Sequence, residues 1–198
     1  MFCERKKSEK RKELEQRVKL CDAAREGNYD FVYSYLLRQK QINKNGRSLF
    51  TAVDVDTYIS EHQYTPLFLA SQNGHSKIVE LLLQYGADVN IRACCVSGGY
   101  PVTKASSRGH LKVVKLLVDK GGADIDTKSY NGWSPLHYAS RNGHVDIVKF
   151  LVERGANCSN RTHRNFFFAC RYSRLTALDL AKKARKQKVV IFLENIEA

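Results

Sequence analysis

A segment of about 34 residues recurs along this chain, and no other feature of the sequence limits the fold as strongly. Three copies each carry a Pro near the start and end in a Gly-His pair, whose glycines are Gly74, Gly109 and Gly143. A second apolar stretch follows each pair and ends near Gly-Ala. Self-similarity at this period is typical of solenoids, in which one unit cannot bury its apolar face without a neighbour. The chain is therefore expected to be a stack of repeated units.

Each unit has the sequence signals of two helices. Thr65 and Ser134 are suitable N-caps, and the Pro after each fits the first helical position. The Gly of each Gly-His pair suits the left-handed residue that ends a helix. In the second stretch the apolar residues at 147, 148, 151 and 152 form a helical stripe. The pattern predicts a helix–turn–helix with an extended loop that closes on Gly-Ala-Asp or a similar turn.

The repeated segments resemble the ankyrin repeat, which has a period near 33 and a T-P-L-H-x-A signature. The segment 134–139 (SPLHYA) is the closest match; 65–70 (TPLFLA) has Phe in place of His, and 100–105 (YPVTKA) departs most. The resemblance implies an all-α ankyrin-repeat solenoid.

The resemblance covers residues 17–198 and divides them into five units. The first unit and the last are degenerate, as is typical of the caps that keep a solenoid soluble. A charged arm over residues 1–16 precedes repeats at about 17–46, 60–94, 95–128, 129–161 and 171–198. The arm is interpreted as a short solvated helix, with a nuclear-import or anion-binding arm as the alternative.

Two insertions interrupt the period, at about 39–60 and 161–174. Residues 48–59 are rich in β-branched and aromatic side chains and suit a lengthened hairpin finger. The second insertion contains Phe166–Phe168, for which folding back on the array is favoured over an exposed contact patch. Insertions in repeat proteins map to loops, often on the binding face, and loop drift without a role is the alternative.

The formal net charge is +13, and it is unevenly distributed. Residues 160–188 hold nine Lys or Arg and one Asp, whereas residues 20–159 hold 16 basic and 13 acidic residues. A basic excess suits an acidic protein partner, nucleic acid, an anionic membrane surface, or only solubility. The sequence thus predicts a nearly neutral array with a basic C-terminal end.

The motifs of common catalytic and nucleotide-binding sites do not occur in the sequence. The six Cys have no C-x-x-C spacing, and three of the six His recur at one repeat position, which indicates a structural role such as capping the turn. We expect no enzyme activity, no cofactor and no metal. The first residues run directly into charge, so no secretory signal is expected, and a cytoplasmic or nuclear location with reduced thiols is favoured.

The resemblance also implies where a partner binds, because ankyrin arrays contact proteins through the loop tips and the exposed side of each first helix. Aligned positions give the candidate protein-binding residues His62, Tyr64, Gln72, Asn73, Ser107, Arg108, Lys128, Tyr130, Asn131, Trp133, Arg141, Asn142 and Tyr172. Tyr, Trp and Arg often dominate interface energies. Trp133, at a position that is exposed in the family, is favoured as a contact residue over a packing residue.

Asn90 is a candidate modification site. The context Asp88-Val89-Asn90 resembles that in which ankyrin Asn residues are hydroxylated by an asparaginyl hydroxylase of animal cells. The alternative is an Asn that only stabilises its turn.

Three functions remain open from the sequence. The first is a monomeric, non-catalytic adaptor that binds a protein of acidic character through the concave face. The second is an anion binder, of nucleic acid or inositol lipid, that uses the basic C-terminal end. The third is a microbial or viral effector that mimics host ankyrin proteins.

Overall fold

The computed structural model describes residues 2–44, 55–57, 64–93, 99–163 and 174–197. Within these ranges the chain forms ten α-helices in five consecutive pairs. They are α1 Phe2–Glu26, α2 Tyr29–Lys44, α3 Pro66–Asn73, α4 Ser76–Gln84, α5 Pro101–Arg108, α6 Leu111–Lys115 (continued by a π-helical turn, Leu116–Lys120), α7 Pro135–Asn142, α8 Val145–Glu153, α9 Ala177–Lys183 and α10 Gln187–Glu197. The prediction of an all-α array of helix pairs is confirmed.

The first helices of the middle repeats begin and end at the residues that the sequence predicts. The Oγ1 of Thr65 accepts the N–H of Phe68 at 3.2 Å, and the Oγ of Ser134 accepts that of His137 at 3.5 Å. A Pro follows both caps at the start of the helix, where its missing N–H costs nothing. Gly74 ends α3 with φ of 79°, and its counterparts after α5 and α7 both have φ of 84°. Local sequence therefore sets the bounds of these helices.

The pairs stack through two rows of helices. The first helices (α1, α3, α5, α7 and α9) pack closely on one another, whereas the second helices (α2, α4, α6, α8 and α10) contact one another more sparsely. Ala70, Ala105 and Ala139 are fully buried in the first helices, and small side chains allow close approach. A stack whose one row is more closely packed bends toward that row. The first helices therefore line the concave side of the array.

One hydrophobic core runs the length of the stack, from Leu20 in α1 to Leu193 in α10. The second helices contribute the apolar stripe that the sequence predicts, with Ile147 and Leu151 at most 1% exposed. Each helix pair buries this stripe against its neighbours, so the stability of one repeat depends on the next.

A histidine joins each of the three middle pairs to the pair before it. The Nε2–H of each ring donates to a backbone carbonyl oxygen of the preceding pair at 3.0 to 3.1 Å, in the couples His75–Arg25, His110–Gln72 and His144–Ser107. None of the three rings makes a side-chain cap to its own helix. Their role is structural, as their repeated position predicts, but they link repeats instead of capping their own turns.

The helix α1 is longer than the other first helices, with 25 residues against 8 in α3. It begins at Phe2 and continues without a break through residue 17, where the sequence places the start of the first repeat. The charged arm is helical, as expected, but it forms one helix with the first repeat and not a separate short one. The domain boundaries stay a prediction.

Most of both insertions, including Phe166–Phe168, lies outside the described residues. In the first insertion, residues 39–44 belong to α2, which has 16 residues against 9 in α4. Val55 and Thr57 are buried, at 3% and 2% exposed. Part of the extra length therefore extends a helix, and residues 55–57 pack on the array; the roles of the insertions stay predictions.

Candidate functional site

The described candidate residues lie at the ends of α3, α5 and α7 and on the loops before α3 and α7. We call the exposed side of α3, α5, α7 and α9, with the loops before them, the first-helix face. The exposed candidates are Asn73, Arg108, Lys128, Tyr130, Arg141 and Asn142, and the half-buried ones are Tyr64, Gln72, Ser107 and Asn131. His62 and Tyr172 lie outside the described residues. The structure thus brings most of the candidates onto one side of the stack.

Charge is sorted between the two rows of helices. The first helices α3, α5, α7 and α9 contain one acidic residue, Asp179, and five basic ones, Lys104, Arg108, Arg141, Lys182 and Lys183. The second helices α4, α6 with its π-helical turn, α8 and α10 contain six acidic and six basic residues. The row of first helices from α3 to α9 is therefore basic, and the row of second helices from α4 to α10 is balanced.

Two of the charged groups on the first helices are already engaged by the fold. The carboxylate of Asp179 accepts the N–H of Thr176 at 2.9 Å and its hydroxyl at 3.0 Å, and the N–H is the largest reason that the pKa of Asp179 lies below its usual range. Lys182 pairs with Glu194 of α10 at 2.8 Å. Further positive groups of the face are on α5, α7, the end of α9 and the loops before α5 and α7.

Several loop carboxylates and amides are engaged in linking one repeat to the next. In each link a side-chain oxygen accepts a backbone N–H of the following loop, at 3.1 Å from Asp56 to Asp88, at 3.5 Å from Asn90 to Asp124 and at 3.2 Å from Asp126 to Asn157. The Oδ1 of Asp88 also accepts the N–H of Asn90 at 2.8 Å. Asn90 is exposed and stabilises its turn and the next one; its modification stays a prediction.

Two arginines of the face lie over aromatic rings. The guanidinium carbon of Arg92 is 4.2 Å from the ring centroid of Tyr130, and that of Arg141 is 5.3 Å from the ring of Trp133. A guanidinium stacked in this way is restrained, yet the N–H groups at its edge can still bind a carboxylate or phosphate. The sequence does not predict Arg92 as a site residue, because its contact with Tyr130 joins loops of two different repeats and leaves no periodic signal.

Trp133 is buried, with 7% of its surface exposed, so the expectation that it is exposed is wrong. Its ring centroid lies 5.1 Å from that of Tyr138, and its carbonyl accepts the N–H of Ser129 at 3.0 Å across the loop. The indole fills the space between the loop and α7 and supports Arg141 from beneath. Its main role in the structure is packing.

Two exposed asparagines of the candidate set are engaged by the preceding repeat. The Nδ2 of Asn73 donates to the carbonyl of Arg25 at 3.0 Å, and that of Asn142 donates to the carbonyl of Ser107 at 2.7 Å. Their recurrence before Gly-His in the sequence was the signal that could have identified this structural use.

His137 is held in its neutral form. Its Nδ1 accepts the N–H of Ser134 at 3.1 Å, and its Nε2 lies 3.0 Å from the carbonyl oxygen of Asn160, to which it donates. Burial lowers the pKa of His137 below its usual value. In the third repeat Thr103 takes the same place, since its Oγ1 accepts the N–H of Tyr100 at 2.8 Å. The departure from the ankyrin signature there preserves the hydrogen bond.

Among the described residues, no three or more His, Cys, Asp or Glu side chains are grouped so that they could hold a metal ion. The helices of the same part of the chain include none with the length and apolarity of a membrane span. The predicted location in the cytoplasm or nucleus stays a prediction.

Comparison with known families gives a match that covers most of the chain. The family model described as ankyrin repeats (3 copies) matches residues 7–93 and 92–162. A comparison with curated proteins gives no match. The matched ranges include the first four helix pairs from residue 7 onward and all the described candidate residues.

Proposed function

The chain belongs to the ankyrin-repeat family, whose repeats are generally protein-interaction modules and typically non-catalytic, and we propose that it is an adaptor for an acidic partner. The partner presents a segment rich in Asp or Glu, and this segment binds along the first-helix face. The adaptor acts as a monomer in the cytoplasm or nucleus and needs no cofactor.

The sorting of charge between the two rows of helices carries this proposal. If the basic residues served only solubility, we would not expect them to be concentrated on one side of the solenoid. Here α3, α5 and α7 contain three basic residues and no acidic one, while the second helices behind them contain five basic and four acidic residues. A basic concave surface attracts an acidic segment before contact and suppresses basic competitors.

The stacked arginines support the same partner chemistry. Arg92 over Tyr130 and Arg141 over Trp133 lose less conformational entropy on binding than unrestrained side chains would, which favours affinity. A guanidinium also matches the two oxygens of a carboxylate geometrically, which a Lys ammonium does not.

The direct experiment titrates the protein into a fluorescein-labelled peptide rich in Glu and follows fluorescence anisotropy. The matched peptide has Gln in place of every Glu. We expect binding of the first peptide and at least about tenfold weaker binding of the second, since each tenfold corresponds to about 1.4 kcal/mol. Equal affinity for both peptides would contradict the acidic character of the partner.

A pair of protein variants tests whether the peptide uses the proposed face. Arg141→Gln removes one positive charge from α7, and Lys77→Gln removes one from α4 in the opposite row. Arg141→Gln should weaken binding several-fold more than Lys77→Gln. If the two variants lose affinity equally, net charge alone governs binding and the face is wrongly assigned.

Nucleic acid is the other polyanion that the basic surface suits, and the same assay distinguishes it. A labelled single-stranded RNA should bind more weakly than the acidic peptide at moderate salt. Tight RNA binding, with a steep fall of log affinity against log salt concentration, would favour an anion binder over an adaptor for an acidic protein.

A further inference from the structure

Residues 73, 108 and 142 occupy the same place in three successive repeats, directly before the glycine that ends the first helix. Two of them are Asn and the one in the middle is Arg. The repeats thus provide an internal comparison of what this position does when it serves the fold and when it does not.

At the two Asn positions, the side chain and a histidine share one carbonyl oxygen of the preceding repeat. The carbonyl of Ser107 accepts the Nδ2 of Asn142 at 2.7 Å and the Nε2 of His144 at 3.1 Å. The carbonyl of Arg25 accepts Asn73 and His75 in the same way, both at 3.0 Å. Both lone pairs of each oxygen are therefore used.

The corresponding oxygen before Arg108 is the carbonyl of Gln72, and within the described residues it accepts only the Nε2 of His110, at 3.1 Å. Arg108 is exposed and makes no hydrogen bond or ion pair in that part of the chain. The third repeat therefore lacks the side-chain hydrogen bond to the preceding repeat that Asn73 and Asn142 make in the repeats on either side.

The residues around Arg108 do not compensate for the missing link between repeats. Lys104 lies one helical turn earlier on α5, and like charges at this spacing destabilise a helix. Neither α3, α5 nor α7 contains a carboxylate that could pair with the guanidinium. A cation in the last turn does gain from the helix dipole, and that gain would be kept by Lys as well as by Arg.

We propose that Arg108 is the specificity-determining residue of the first-helix face, where its guanidinium binds a carboxylate of the partner's acidic segment at a cost to the stability of the array. This inference rests on the proposed function and extends it to one position. Lys104 and Arg141 set the positive field, while Arg108 supplies the fork of donors that no contact within the described chain engages.

The first arm of the experiment needs no partner. Arg108→Asn should restore the hydrogen bond to the carbonyl of Gln72 and remove the repulsion from Lys104, so the melting temperature should rise by about 2 °C. The reverse change, Asn142→Arg, should lower it. A fall in the melting temperature of Arg108→Asn would show that Arg108 serves the fold and would overturn the proposal.

The second arm measures binding of the labelled Glu-rich peptide. Arg108→Asn should bind about tenfold more weakly although it is more stable, and Arg108→Lys should recover only part of the affinity. Lys77→Asn, with the same loss of charge on α4, should bind nearly as well as the natural protein. Unchanged binding by Arg108→Asn overturns the role of Arg108 and leaves the proposed function intact, whereas no binding by the natural protein overturns both.

Discussion

The imidazole of His144 lies over the α-carbon of Gly109 in the preceding repeat, so closely that a Cβ there would come within 2.6 Å of its Cε1. His75 and His110 lie over Gly27 and Gly74 in the same way. Gly27, Gly74 and Gly109 thus meet two demands: a left-handed backbone conformation, and space for the histidine ring of the following repeat.

Gly109→Ala should therefore destabilise the array through both demands. A non-glycine residue at positive φ costs about 1–3 kcal/mol, and displacement of the His144 ring adds to this. Gly86→Ala is the matched control, because Gly86 has φ of 83° but no atom within 4 Å of its added Cβ. Urea unfolding should show a clearly larger loss for Gly109→Ala, and equal losses would mean that the ring contact contributes nothing.

Arg185, which has φ of 56°, is a position where only the first of these two demands, the left-handed backbone, applies. It occupies the place of Gly109 in the last described repeat. Because no histidine of a described repeat lies over it, a side chain at positive φ is tolerated there at the cost of the backbone alone.

The stability of the protein should decrease in mildly acidic solution because of His137. Burial lowers its pKa in the folded protein, whereas the unfolded chain titrates near about pH 6.5. Below that value the unfolded state binds more protons, so the contribution of His137 is complete above about pH 6.5 and is lost as the pH falls from there through the lower pKa of the folded protein.

His137→Thr is the informative variant, since Thr103 already accepts the equivalent N–H in the third repeat. Free energies of unfolding from pH 8 to pH 5 should fall less steeply for the variant than for the natural protein. Parallel curves would assign the pH dependence to other groups.

Trp133→Ala should reduce stability strongly, by about 3–5 kcal/mol, because truncation leaves a cavity between the loop and α7. Arg141→Ala should cost less than about 1 kcal/mol, since Arg141 is exposed. Chemical denaturation of both variants measures the difference. A small effect of Trp133→Ala on the free energy of unfolding would return the residue to the candidate partner contacts.

Asn90 should carry one added oxygen atom when the protein is isolated from its native cells, if its turn is a substrate of the asparaginyl hydroxylase. Its side-chain oxygen is 3.5 Å from the N–H of Asp124, the longest of the three equivalent links, so the turn is held less firmly there. Mass spectrometry of the tryptic peptide decides the matter: an unmodified Asn90 ends this prediction.

Local features of the fold were predictable from the sequence because each depends on a few neighbouring residues. Thr65 and Gly74 act through their own helix, so their roles as caps follow from residue type and position. The burial of Trp133 and the engagement of Asn73 depend on a contact with another segment, which a family-derived exposure pattern does not contain. The same reason hid the pairing of Arg92 with Tyr130.

The continuity of α1 was also difficult to predict. The arm carries no repeat signal, but its Lys, Arg and Glu residues favour helix, and no Gly or Pro stands between Phe2 and Glu26 to end it. A segment without the repeat pattern can therefore still be helical.

The close packing of the first helices gives the concave side a fixed pitch. Neighbouring helices in contact are about 8–10 Å apart, and an extended chain advances about 3.3 Å per residue. A partner strand that crosses α5, α7 and α9 would then meet a new helix at about every third residue. The array would then select a partner by the spacing of its acidic side chains along the strand as well as by their number.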